Sequence, residues 1–89
     1  MPKMVITHSV ADVDKWLGFK AERAGAIGGL GGTNVVDHVA QDGSKLVAVS
    51  ANVSDVDGVM AALGSPPPEL AAAMEKHGVL PPLVAYVEG

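Results

Sequence analysis

Apolar and polar positions alternate along the first ten residues. Met4, Ile6, His8 and Val10 fall on one side of an extended chain, and Val5, Thr7 and Ser9 on the other, which predicts a strand over residues 3–10. From Val13 the period changes to that of a helix. Val13, Trp16, Leu17, Lys20, Ala24 and Ile27 share a face, Asp12 is suited to cap the N-terminus, and Asp14 places favourable charge in the first turn. The spacing predicts one helix to about Ile27, stopped by Gly28, Gly29, Gly31 and Gly32.

Two apolar runs, TNVVDHVA and KLVAVSAN, flank QDGS. The dipeptide Asp42-Gly43 favours a type I′ turn and predicts a hairpin. With those two residues as the turn, Gln41 faces Ser44, His38 faces Val47, Val36 faces Val49 and Asn34 faces Ala51. Asn34, Val36, His38, Val47 and Val49 then share one face, while Val35, Asp37, Val39, Leu46, Ala48 and Ser50 share the other. Both faces are mostly apolar, the pattern of a sheet covered on both sides.

Ser54-Asp55-Val56-Asp57 resembles a capping box, and Val56, Val59, Met60 and Leu63 repeat at helical spacing up to Gly64. Ser65 and Pro66 open another helix through ELAAAMEKH, which Gly78 and the Pro81-Pro82 pair end. LVAYVE, residues 83–88, predicts the last strand. The order is β-α-β-β-α-β, an α+β ferredoxin-like split βαβ whose four-stranded antiparallel sheet carries helices on one face only. The uncovered apolar face predicts a second copy of the chain packed against it, sheet to sheet.

Composition sharpens that expectation. Eighty-nine residues make a single domain over 1–89. A core that small is marginal, yet 48% of the residues are hydrophobic, the excess being Ala, Val and Leu, so apolar surface is expected against a homodimeric partner. The net charge of −4 is scattered without a basic stripe, which argues against nucleic acid and anionic membrane as partners. There is no cysteine, so disulfide and thiol chemistry are excluded, as fits a reducing cytoplasm. The N-terminus lacks the apolar core of a signal peptide, and no apolar run approaches the roughly 20 residues that span a bilayer.

HSVADVDKW, NVVDHVAQDGSKLVAVSANVSDVDGVMAAL and SPPPELAAAMEKHGVLPP together span nearly the whole chain. They resemble the small dimeric α/β-barrel proteins, above all the antibiotic-biosynthesis-monooxygenase-like group. The resemblance implies a homodimer of ferredoxin-like subunits with a ligand cavity between sheet and helices. It spans several activities: cofactor-independent quinone-forming monooxygenases, polyketide cyclases, haem-degrading enzymes and dehydratases. The haem-degrading relatives use a Trp after the third strand, where this chain has ANVSDVDG, and the monooxygenases use a pocket Trp with Asn or Arg. Here the sole Trp is on the first helix and the sole Arg is Arg23, so neither set of active residues transfers.

The candidates for chemistry are therefore few. His8 is either a half-buried structural histidine or a pocket acid/base, since imidazole titrates near neutral pH, and it is the first candidate for catalysis. His38 is the second. Asp37 is no partner for it, because adjacent strand residues point to opposite faces. His77 shares a helical face with Leu70 and Met74 and also sits in the last turn, where a cation complements the helix dipole. Trp16, Asn34, His77 and Tyr86 are the candidates to line a ligand cavity, with Trp16 and Tyr86 as its wall. The histidines lack ligand spacing, so neither metal nor haem is expected, and no cofactor. GGLGG follows a helix instead of a strand and is not a phosphate loop. The functional expectation is a homodimer binding a hydrophobic or aromatic metabolite, acting on it as a cofactor-independent monooxygenase or cyclase. The alternative is a non-catalytic binding module whose dimer is the functional unit.

Overall fold

The computed structural model describes residues 2–89. The chain runs β1 (Lys3–Val10), α1 (Val13–Gly18), α2 (Lys20–Gly29), β2 (Gly32–Val39), β3 (Leu46–Val53), α3 (Val56–Gly64), α4 (Pro68–Lys76) and β4 (Val79–Val87). The four strands form one antiparallel sheet in the order β2-β3-β1-β4. This is the ferredoxin-like α+β arrangement expected from the apolar pattern, with each connecting helix divided in two.

The first helix breaks at Phe19, whose φ of −98° and ψ of 18° lie off the helical values. The Phe19 amide bonds the Trp16 carbonyl at 3.1 Å in place of a full helical turn. The Arg23 guanidinium reaches the same carbonyl from the next helix, also at 3.1 Å. Gly18, a poor helix residue, immediately precedes the break. Past the break Lys20 is exposed and Arg23 is buried.

The hairpin differs from the two-residue turn expected at Asp42-Gly43. Val39 pairs with Val47, His38 with Ala48, Asp37 with Val49 and Val36 with Ser50, one residue out of the expected register. The loop is longer: the Ala40 amide bonds the Leu46 carbonyl at 3.0 Å, the Asp42 carboxylate accepts from the Ser44 amide, and Gly43 takes φ +81°. At the other end of the pair the expected register returns, with Thr33 opposite Asn52. A bulge between them absorbs the difference, and Asn34 sits there with φ +55°, a conformation Asn tolerates better than most residues. The consequence is a change of face. Val47 and Val49 lie on the helix side with Asp37, and His38 and Val36 lie on the outer side with Ala48 and Ser50.

Two smaller differences complete the correction. Asp55, not Ser54, caps α3, its carboxylate accepting from the Gly58 amide at 3.0 Å. The last strand starts at Val79 and carries Pro81 and Pro82 within it. It is an edge strand with a register irregularity opposite Thr7 and Ser9, where residues without an amide donor are tolerated.

The core lies between sheet and helices. Met4, Ala51, Val53 and Val59 form one buried cluster, and Val10, Trp16, Val47 and Val49 another. On the outer side none of the described residues covers the apolar side chains of the sheet: Val36, Leu46, Leu80, Val84 and Tyr86 are each between 43% and 58% exposed.

Candidate functional site

Between the two core clusters the sheet and helices leave a cavity of about 100 Å³. Its walls are apolar, from Met4 and Ile6 of β1, Ile27 of α2, Leu63 of α3, Met74 of α4 and Leu83 of β4. The polar side chains lining it are His8, Arg23 and His77, and all three are over nine-tenths buried.

Arg23 is held by Asp37. Its Nε donates to Oδ1 and its Nη2 to Oδ2, each at 3.0 Å, and Nη2 also donates to the Trp16 carbonyl. A bidentate pair of this kind fixes the guanidinium plane as well as its position. The guanidinium carbon stands over the Trp16 indole, 3.8 Å from the ring centroid. The remaining nitrogen, Nη1, is buried without a hydrogen-bond partner. β2 places Asp37 opposite Val49 on the helix face, and the break at Phe19 swings Arg23 toward it.

His8 meets Trp16 edge-on, with ring centroids 6.0 Å apart. Its Nδ1 lies 3.0 Å from the Ser9 carbonyl. A carbonyl only accepts, so Nδ1 carries the proton and the neutral ring keeps its lone pair on Nε2. Burial holds the imidazole below its ordinary value of 6.5, and the charge on Arg23 adds to that depression against the bond to Ser9.

His77 is the C-cap of α4, followed by Gly78 at φ +77°. Its ring stacks on Phe19 at 4.4 Å between centroids, and its Nε2 stands 3.5 Å from a Glu22 oxygen, too long for an ordinary hydrogen bond. Lys76 also reaches Glu22, at 3.3 Å, so α4 is fastened to α2 at the rim of the cavity. Burial lowers the His77 pKa, the charges of Arg23 and Lys76 add to that, and Glu22 opposes it without cancelling it. Folding thus holds both imidazoles neutral, whereas the unfolded chain binds protons on them near 6.5. Their contribution to stability is full above that pH and is lost as the pH falls from 6.5 toward the lower folded values. The midpoint of thermal unfolding is expected to be lower at about pH 5 than at neutral pH. Melting curves followed by circular dichroism test this, and His77→Gln should flatten part of the dependence; a profile flat down to that pH would contradict the assigned neutral state.

Of the residues expected in one cavity, the structure brings His8 and His77 to its lining and leaves four outside it. Trp16 is fully buried beside the cavity, behind His8 and Arg23. Asn34 is in the exposed bulge of β2. His38 is exposed on the outer face, its Nε2 3.0 Å from the Ser50 hydroxyl, next to a shallow depression lined by Thr7 and Leu46. Tyr86 is 58% exposed on that same face, opposite Val5, and is no wall of the cavity. Sequence reasoning missed Arg23 and Asp37. A signal existed: Arg23 is seven residues after Trp16, two helical turns on the same face, and Asp37 alternates with Val35 and Val39.

The comparisons bear on the fold. Three solved structures named "putative antibiotic biosynthesis monooxygenase" resemble this chain. One from Deinococcus radiodurans is 14% identical over 100% of this chain and 93% of its own, with a TM-score of 0.59. One from Nitrosomonas europaea is 14% identical over 100% and 97%, at 0.57. One from Bordetella bronchiseptica is 15% identical over 99% and 94%, at 0.60. The chain shares their fold. No protein-family model matches the sequence, and no curated protein matches it significantly. Among the described residues no three His, Cys, Asp or Glu side chains are grouped to hold a metal ion, and no helix is long and apolar enough to cross a membrane.

Proposed function

We propose that this protein binds a small hydrophobic metabolite in the cavity between sheet and helices, with His8 as the acid/base group. The observation that supports it most is the pairing of an apolar cavity with a buried imidazole whose Nε2 has no partner proton. A neutral imidazole so placed can take the proton of a bound hydroxyl or an activated C–H. Proton removal of that kind prepares an electron-rich ring for attack on dioxygen, which accords with the monooxygenase name of the structural neighbours. In this reading His8 takes the role alone, since His38 is exposed on the outer face, away from the cavity.

A binding module without chemistry is the second reading. It is favoured by the economy of the site, where Asp37 offsets the charge of Arg23, so a developing oxyanion would meet the Nη1 donor but no net positive charge. Oxygen uptake in the presence of a saturating ligand separates the two: turnover abolished by His8→Phe supports catalysis, and saturable binding without uptake supports the module.

The working assembly in this reading is a homodimer joined through the outer sheet face, where Val36, Leu46, Leu80, Val84 and Tyr86 would otherwise face water. Light scattering is expected to give about twice 9.0 kDa. Val36→Lys with Val84→Lys puts charges on this face without touching the helix-side core and should give a folded monomer. A wild-type chain that stays monomeric would overturn the dimer.

A further inference from the structure

The polar end of the cavity is specific about charge. Arg23 spends Nε and Nη2 on Asp37 and the Trp16 carbonyl, which leaves Nη1 as a single buried donor without a partner. His8 spends Nδ1 on the Ser9 carbonyl, which leaves Nε2 as an acceptor. Both residues line the cavity and both pack on the same indole. His77 belongs to the rim instead, because its Nε2 faces Glu22, whose side chain is 45% exposed. The Arg23–Asp37 pair brings no net charge, so an anionic ligand would bury a negative charge with nothing left to balance it. Size narrows the class further. A dry cavity of roughly 150 Å³ holds a benzene ring, and this one is about 100 Å³, so it takes no more than one ring, and that only as its apolar wall gives.

We propose that the ligand is a neutral hydroxy compound of about one-ring size, whose O–H donates to His8 Nε2 and whose oxygen, or one beside it, accepts from Arg23 Nη1. This deepens the reading of the cavity as the ligand site and rests on it. Such a ligand gives Arg23 Nη1 the partner it lacks and a proton to the acceptor that His8 keeps on Nε2, and its ring covers apolar wall. Carboxylic acids of the same size are rejected, although the site contains an arginine.

Four one-ring probes test it on nitrogen-15-labelled protein: para-cresol, toluene, para-methylanisole and para-toluate at neutral pH. Trp16 is the sole tryptophan and touches both polar groups, so its indole N–H gives one resonance that reports binding. Para-cresol is expected to bind at least about tenfold tighter than toluene, the net gain of the two hydrogen bonds its hydroxyl makes with buried groups after losing its own hydration. Para-methylanisole keeps the oxygen but not the donor and should fall back toward toluene. Para-toluate should give no saturable shift. In His8→Phe, para-cresol should lose its advantage while toluene still binds. If none of the probes moves the indole, the cavity is not a ligand site and both readings fall. If toluene and para-cresol bind alike, the cavity stands and the assignment of its polar end fails. Equal binding of para-methylanisole and para-cresol would remove His8 as acceptor, without relying on the folding of any variant. Tightest binding by para-toluate would overturn the requirement for a neutral ligand.

Discussion

Asp37→Ala is expected to cost about 3–5 kcal/mol of stability, the penalty for leaving one member of a buried ion pair alone. For a domain whose whole stability is on the order of 5–15 kcal/mol, that is a large share. The reason is the geometry of the pair. The Arg23 and Asp37 side chains are 9% and 2% exposed, two hydrogen bonds join them, and the guanidinium carbon stands 3.8 Å over a buried indole. Without the carboxylate, a buried cation keeps only the Trp16 carbonyl. The exposed pair of Lys76 with Glu22 is the control. Its side chains are 58% and 45% exposed, so Glu22→Ala should cost less than about 1 kcal/mol. Arg23→Met combined with Asp37→Leu should recover much of the loss, since it removes both charges and keeps the volume. Urea unfolding followed by circular dichroism measures all three. If Asp37→Ala is no worse than Glu22→Ala, the pair is hydrated in solution and the polar end of the cavity is not built as described.

The same pair shows how far the sequence could be followed. Element order and class were legible because each is a local periodicity: two-residue alternation in β1, β2 and β3, and helical spacing in the segments between. Outcomes that depend on long-range fit were not. A two-residue turn at Asp42-Gly43 and the longer loop closed by Ala40 and Leu46 place the same apolar runs side by side, and only the bulge at Asn34 reconciles the two registers. That slip of one residue decides which side His38 and Val49 face. The break at Phe19 was hidden for a related reason. The apolar spacing from Val13 to Ile27 fits a continuous helix, and the bend is set by tertiary partners, the stack on His77 and the arginine on the Trp16 carbonyl. Of the candidate residues, His8 could be placed beside Trp16 because a short connection joins β1 to α1. The positions of Asn34, His38 and Tyr86 required the sheet to be assembled first.

Trp16→Ala is the other change of large expected effect, about 3–5 kcal/mol for emptying a fully buried aromatic site. The indole is 0% exposed, packed with Val10, Val47 and Val49, covered by Arg23 on its face and met by His8 at its edge. Its removal takes the support from both polar groups of the cavity and adds its own volume to the space beside them. The destabilised variant should therefore gain stability from an apolar one-ring compound at millimolar concentration, by occupation of the new void in the folded state only. Trp16→Phe should behave differently. The indole Nε1 is buried without a hydrogen-bond partner, so phenylalanine deletes an unsatisfied donor while keeping much of the apolar burial. Its cost should be well under half that of alanine in matched urea titrations read by circular dichroism. If the two substitutions cost the same, the indole N–H has a partner after all, and Trp16 contributes to this site through that bond and not through its bulk.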